Sequence, residues 1–328
     1  MKFFLAPFIL LVLLFSCKSS SDTSVSNNGD QAAVSIPAVQ FDSIISNSNI
    51  QGQLQRYSAF PSEYVGEHIV DVWLPENYSE TKKYAVVYMN DGQNLFDPAA
   101  TKKNLEMMAD ETITELVAAG TIKETIVVGV HSNGRKRHDE YFPKKPFEAL
   151  PQKDQDSLKK IAKAFNMEMK LSSDYYLKFL VDELKPFVDA TYATQTDRAN
   201  TFISGASMGG LISMYAVCEY PETFGGAICM SSHWPGVLPT DTNPIPPTFF
   251  EYMRNNLPVP GNNRFYFSSG TKGMDRFYVK FEDEVNQVFT EKGYTADNFI
   301  NFRDEGGNHT EGYWNKRLPE GLQMMLQK

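Results

Sequence analysis

Residues Thr201–Glu219 read TFISGASMGGLISMYAVCE, and the five at the middle, Gly205-Ala206-Ser207-Met208-Gly209, decide the fold. Thr201–Ser204 is a short β-branched and aromatic run with strand character, and Met208–Glu219 is an apolar stretch of helical length. The pattern G-x-S-x-G sits at the joint. A serine there stands on a sharp strand-to-helix turn, where side chains at the flanking glycine positions would clash with neighbouring backbone. The start of the next helix adds a positive dipole beside the hydroxyl, and Gly210 leaves further room. A glycine-rich turn without chemistry would read the same in isolation, so the rest of the chain has to supply the serine's partners.

Outward from this unit the chain alternates strands and helices. Val65–Leu74 alternates like a strand and closes on the turn signal Pro75-Glu76-Asn77. Tyr84–Met89 (YAVVYM) and Thr125–Val130 (TIVVGV) are continuous apolar runs, as strands covered on both faces should be. Further strands are expected over Phe224–Ser231, Arg264–Ser268 and Phe299–Phe302. Helices are expected over Leu105–Ala119, Asp174–Ala190, Arg276–Lys292 and Glu311–Leu326. Such alternation implies βαβ units, so an α/β class with a mostly parallel central sheet and helices on both faces. Two stretches interrupt it. Lys144–Lys170 begins rich in Lys and Pro and reads as a surface loop or weak helix. Pro235–Gly261 is Pro-rich and carries Phe249, Phe250 and Tyr252, with Trp234 just before it, and is expected to form a wall of the substrate site.

A chain of 328 residues with 42% hydrophobic and 13% aromatic side chains can bury a full core. Its net charge of −9 argues against a nucleic-acid partner, which would need clustered Lys and Arg. The three cysteines, Cys17, Cys218 and Cys229, are too few for a disulfide scaffold or a Cys-rich zinc site. Cys218 and Cys229 sit in apolar surroundings and read as core residues.

The first segment reads as an address. Met1-Lys2 precedes an apolar run, Phe3–Phe15, too short to span a bilayer as a helix. It ends in Leu14-Phe15-Ser16-Cys17, similar to a bacterial lipobox, in which the cysteine is lipidated and becomes the mature first residue. Residues 1–16 are therefore expected to be a lipoprotein signal peptide and Cys17 the membrane anchor at the bacterial cell envelope. The Ser- and Asn-rich stretch 17–50 is expected to be a flexible tether, and 51–328 a single α/β domain.

Ser207 needs a base. Of the five histidines, His309 lies in the Gly-rich loop Asp304–Glu311, between the last strand and the last helix. That places it at the carboxyl edge of the sheet, where open α/β folds bind ligands, and in the order serine, acid, histidine. His68 falls in the first alternating strand and is expected far from that edge. The acid should follow the strand Arg264–Ser268; Asp275 stands in that loop, with Glu282 and Asp283 as alternatives further on. The oxyanion hole should combine the N–H of Met208 with one from the loop Asn90–Asp97, where Gln93 is the first candidate and Gly92 the second. This chemistry calls for no cofactor or metal.

Several stretches in order now resemble a known family: Trp73–Pro75, Val87–Phe96, Ile126–Val130, Ser204–Leu211, Ser269–Asp275 and Gly306–Trp314. They resemble the esterase branch of the α/β-hydrolases that includes enterochelin esterases and feruloyl or acetyl-xylan esterases, over roughly residues 52–328. The resemblance implies a serine esterase using Ser207, Asp275 and His309. It also implies that the Arg137–Pro143 stretch frames the site, which makes Arg137 and Tyr141 candidate substrate contacts; Asp91, in the loop after Tyr84–Met89, and Trp234, beside the aromatic insertion, are the other candidates. The sequence departs from the family where relatives often carry Asp in place of Gly273 and His in place of Asn90.

The expected substrate is an ester-linked feruloyl or acetyl group of a polysaccharide. A catecholate siderophore ester is the alternative, with Arg135, Lys136 and Arg137 available for an anionic ligand. A ligand-binding lipoprotein without turnover is the alternative of another class.

Overall fold

The computed structural model describes residues 39–101, 103–164, 167–237, 242–261 and 263–328. The expected signal peptide, Cys17 and the tether as far as residue 38 lie outside them.

In chain order the first elements are β1 (Ser43–Ile45), β2 (Gln53–Phe60), β3 (His68–Leu74), β4 (Ala85–Asn90), α1 (Ala109–Ala118) and β5 (Thr125–Val130). Then come α2 (Arg137–Tyr141), α3 (Lys144–Glu148), α4 (Gln152–Ala164), α5 (Ser173–Lys178), a π-helical turn (Phe179–Leu184) and α6 (Lys185–Thr191). The second half runs β6 (Thr201–Ala206), α7 (Met208–Glu219), β7 (Gly226–Met230), α8 (Ile245–Asn256), β8 (Arg264–Gly270), α9 (Glu282–Glu291), β9 (Phe299–Asp304) and α10 (Glu311–Leu326).

Among the described residues the strands form one sheet in the order β1-β2-β3-β5-β4-β6-β7-β8-β9. From β5 to β9 all pairs are parallel, while β1, β2 and β3 join antiparallel at one side. Side chains alternate between faces, as the strand period of two requires. On β4, Val86 and Tyr88 enter the larger core, while Val87 and Met89 enter the smaller one beneath α1 and α10. Helix α7 is buried from Met208 to Cys218, in keeping with its lack of a polar face. Cys218 and Cys229 are free thiols in this core. Among the described residues no helix is long and apolar enough to cross a membrane.

The chain passes from β4 out to β5 and returns across β4 to β6. The order therefore reverses at β4, and a crevice opens between the carboxyl ends of β4 and β6. The Asp91 loop and Ser207 stand on its two sides.

Several expectations need correction. Residues 43–45 do not belong to a free tether: β1 pairs with β2, and the Asp42 carboxylate accepts bonds from the N–H and hydroxyl of Ser58. The stretch Asp174–Ala190 is not one α-helix, because Pro186 supplies no N–H and the preceding residues relax into the π turn. Helix α1 starts at Ala109 and not at Leu105, since Met108 is left-handed at φ 53°. The Arg276–Lys292 helix begins with two 3-10 turns and becomes α-helical only at Glu282. His68, expected far from the carboxyl edge, lies on that edge, because β3 runs antiparallel to β5 and its start meets the end of β5. The Pro-rich insertion holds α8, whose Phe249, Phe250 and Tyr252 are buried in the larger core. Its aromatic residues therefore build core and not a substrate wall.

Candidate active site

Ser207 caps α7 at φ 60° and ψ −120°, a strained conformation for a residue with a Cβ. It is held on both sides: its N–H donates to Met230 O at 2.8 Å, and its carbonyl accepts from His233 N–H at 3.1 Å. Gly205 permits the turn, since a Cβ there would stand 2.5 Å from the carbonyl carbon of Gly209. The first α-helical bond of α7 runs from Leu211 N–H to Ser207 O. The N–H groups of Met208, Gly209 and Gly210 thus have no acceptor within the helix.

Across the cleft the loop after β9 carries His309, whose Nδ1 lies 2.6 Å from Asp275 Oδ1. Asp275 is fully buried on the 3-10 turn that follows β8. Its other oxygen accepts from Ser231 Oγ at 2.6 Å and from Gly270 N–H at 2.7 Å. Ser231 Oγ is in turn fixed by Trp314 Nε1–H at 2.9 Å. A carboxylate only accepts, so Nδ1 of His309 carries the hydrogen and Nε2 is left with its lone pair. The imidazole is wedged edge-to-face between Trp314 and Tyr278, at 4.9 and 5.9 Å between centroids. The two other carboxylates do not reach it. Glu282 accepts from Ser269 Oγ and pairs with Arg303, and Asp283 is exposed on the first turn of α9.

The loop after β4 begins with Asp91 in the left-handed region, φ 60°. The Gln93 side chain is clamped to Ser132 by two bonds of 3.1 Å, which fixes its backbone at the rim of the cleft. Gly92 is turned the other way: a Cβ on it would stand 2.7 Å from His131 Cδ2 and from the Gly129 carbonyl carbon. It packs against β5 and does not line the cleft. Asn90 ties this loop to the serine turn. Its Nδ2 donates to Ser204 O and Ser213 Oγ at 3.1 and 3.0 Å, and its Oδ1 accepts from Tyr176 Oη at 2.7 Å.

Ser207 and His309 line one cleft of about 260 Å³, together with Asp91, Gln93, Arg137 and Glu311 and an apolar side made of Met89, Leu95, Met107 and Trp314. Arg137 grips Asp91 with two bonds, of 2.6 and 2.7 Å, and lies over the Tyr141 ring. Burial disfavours the guanidinium charge, but the adjacent Asp91 carboxylate outweighs it and holds the Arg137 pKa above its ordinary value. Two expected contacts are absent from the cleft. Tyr141 is fully buried behind it, where its Oη accepts the Asp91 N–H at 3.2 Å. Trp234 is buried in an aromatic stack with Phe267 and Phe250. Arg135 and Lys136 are exposed and do not line the cleft. Among the described residues no group of three His, Cys, Asp or Glu side chains is placed to hold a metal ion.

Sequence reasoning gives no role to Ser231, Trp314 or Tyr278, and marks Asn90 only as a position where relatives carry His. Ser231 and Asn90 carried a usable signal, since each stands at the carboxyl end of a strand in the parallel sheet. Trp314 and Tyr278 reach the site only through tertiary packing.

A sequence profile of the family described as "Putative esterase" matches residues 62–325. The chain is 23% identical over 291 residues to the uncharacterized protein YbbA of Bacillus subtilis, covering 85% of this chain and 98% of that one. Among solved structures it is similar to a ferulic acid esterase from Anaeromyces mucronatus, at a TM-score of 0.56 and 20% identity, covering 88% of this chain and 91% of that one. It is also similar to the enterobactin esterase of Shigella flexneri, at a TM-score of 0.58 and 14% identity, covering 84% of this chain and 59% of that one. The chain belongs to the Putative esterase family and is a carboxylic ester hydrolase of the α/β-hydrolase fold.

Proposed function

We propose that Ser207, His309 and Asp275 act as nucleophile, base and orienting acid in the hydrolysis of a neutral, ester-linked feruloyl or acetyl group on a polysaccharide. The observation that carries this reading is the 2.6 Å bond from His309 Nδ1 to Asp275, with Ser207 facing the same cleft from its strained turn. The bond leaves Nε2 as the basic nitrogen. Ser207 Oγ attacks the ester carbonyl, and Nε2 takes its proton and returns it to the departing alcohol. The developing oxyanion is met by the N–H groups of Met208, at the α7 N-terminus, and Gln93, on its clamped loop. Water then releases the acid by the same route.

The charge of the cleft favours a neutral substrate. Arg137 is the only cation lining it among the described residues, and Asp91 already occupies its guanidinium, while Glu311 adds a negative charge. A multiply anionic catecholate would meet no unpaired cation there. The apolar side of Met89, Leu95, Met107 and Trp314 suits a planar or small acyl group. Parallel assays on methyl ferulate, acetylated xylan and a ferric catecholate ester test this. Turnover of the catecholate alone would reverse the substrate choice, and equal rates for wild type and Ser207→Ala would remove the nucleophile. A fluorophosphonate that leaves Ser207 unlabelled while ligand still binds would favour a binding protein.

The cell-envelope location rests on the Leu14–Cys17 motif. Cys17→Ser should abolish incorporation of an alkyne fatty acid and release the protein from the membrane fraction. Unchanged labelling would refute the anchor.

A further inference from the structure

Glu311 lines the cleft beside His309 and has no part in the triad. It is the first residue of α10, and Thr310, between the two, is extended at φ −148° and ψ 157°. Side chains that flank an extended residue leave the backbone on the same side, so the Glu311 carboxylate accompanies the imidazole into the cleft. It is half-buried, and among the described residues no hydrogen bond or ion pair engages it. No neighbouring cation neutralises it either. Arg137, the cation of the cleft, is held by Asp91. Lys272 stands beside Gly306 and does not line the cleft.

An acidic residue in the first turn of a helix complements the helix dipole wherever it stands, and that role asks nothing of a substrate. The place beside His309 adds a second consequence. Nε2 of His309 returns the proton to the departing alcohol oxygen, so the alcohol half of the ester has to lie against the imidazole. The carbonyl oxygen is meanwhile held by the N–H groups of Met208 and Gln93, and the acyl half continues from the far side of the carbonyl carbon. The alcohol half therefore meets Glu311, and the acyl half extends away from it.

We infer that Glu311 selects the alcohol half of the substrate. A carboxylate accepts hydrogen bonds from hydroxyl and ammonium groups and repels a second anion. The alcohol that fits is rich in hydrogen-bond donors and free of acidic groups: a neutral or amino sugar, and not a uronic acid. This rests on the triad reading, which fixes the side on which the alcohol leaves, and it narrows the polysaccharide to one whose esterified sugar carries no carboxylate.

The test places a charge on one half of the ester at a time. Wild type, Glu311→Gln and Glu311→Lys are given phenyl acetate, 4-carboxyphenyl acetate and 3-(trimethylammonio)phenyl acetate, and kcat/KM for each charged ester is divided by that for phenyl acetate. Division removes any loss common to all substrates, which is all that a weakened α10 would cause. In Glu311→Gln the ratio for the anionic alcohol should rise about fivefold and that for the cationic alcohol should fall about fivefold, as expected for one charge about 6 Å away in a largely hydrated site. Glu311→Lys should carry both shifts further, and added salt should shrink the wild-type preference. With p-nitrophenyl hemisuccinate against p-nitrophenyl acetate, where the acyl half bears the charge, Glu311→Gln should move the ratio by less than about twofold. Unchanged ratios for the charged alcohols overturn the inference, and so does an equal shift for the charged acyl group. Undiminished turnover of phenyl acetate by Ser207→Ala would instead refute the triad reading.

Discussion

His309 and Asp275 are joined by a 2.6 Å bond across 34 positions of sequence, and the carboxylate that makes it has no exposed surface. Ser231 Oγ and Gly270 N–H saturate the far oxygen, so the near one is aimed at a single target. The acid is thus fixed by a network that begins at Trp314 on α10 and ends at the imidazole. Because Trp314 also packs edge-to-face on His309, one side chain steadies both members of the pair.

Replacing Asp275 by Asn should retain the fold but offer His309 the wrong tautomer partner. The expected fall in kcat is on the order of 10^3- to 10^4-fold, with KM little changed. Glu282→Gln, which touches Ser269 and Arg303 and not His309, should leave kcat within about twofold. Steady-state kinetics on p-nitrophenyl acetate separate the two. A large loss in Glu282→Gln and a small one in Asp275→Asn would exchange their roles.

Asn90 couples the loop after β4 to the serine turn, and Tyr176 is the donor that satisfies its oxygen. Tyr176→Phe strands a buried acceptor, so urea unfolding should show a loss of about 1–2 kcal/mol. The loop and the turn also lose part of their common reference, and kcat/KM should fall more than binding of a substrate analogue does. Equal losses in both would place the effect in binding alone.

Gly205 lies under the turn with no room for a methyl group: its Cβ would meet the Gly209 carbonyl carbon at 2.5 Å and its oxygen at 2.6 Å. Gly205→Ala must push the start of α7 away from β6. It should cost about 3 kcal/mol by urea unfolding and remove most activity. A variant as stable and as active as wild type would show that the turn has slack the packing does not indicate.

The parts of the site that local pattern encodes were legible in the sequence. The glycines around Ser207, the apolar runs of β4 and β5, and the Gly-rich loop of His309 each state their own conformation within a few residues. What was not legible depends on partners distant in the chain. Nothing near Trp234 reveals that Phe267 and Phe250 enclose it, so an aromatic residue beside a Pro-rich stretch reads like a binding wall. Arg135, Lys136 and Arg137 look equivalent in sequence, and only the placement of Asp91 selects the third. The strand β1 is three residues long and gains its order from β2, which no local propensity announces. Tyr278 follows Asp275 by three positions, but its place against the His309 ring arises only when the ends of β8 and β9 are brought to one edge.

Glu106, next to the cleft residue Met107, should make stability depend on pH. Its side chain is 8% exposed and one carboxylate oxygen has no hydrogen-bond partner. Burial pushes its pKa up from the usual 4.5 to about 7, with Glu111 and Asp97 adding to the effect. The folded state therefore holds this proton more tightly than the unfolded chain does. Between pH 4.5 and 7 the native protein binds more protons, so its stability falls as pH rises through that window, and above it the whole penalty is present. Glu106→Gln removes the charge while keeping the shape. It should be about 2 kcal/mol more stable than wild type at pH 8 and no more stable at pH 4. Asp110, raised to about 8 by burial and by Glu111, remains in the variant and should leave a shallower slope. Urea unfolding of both proteins at several pH values measures the difference directly. A constant offset at every pH would show that the substitution acts through packing and not through the proton.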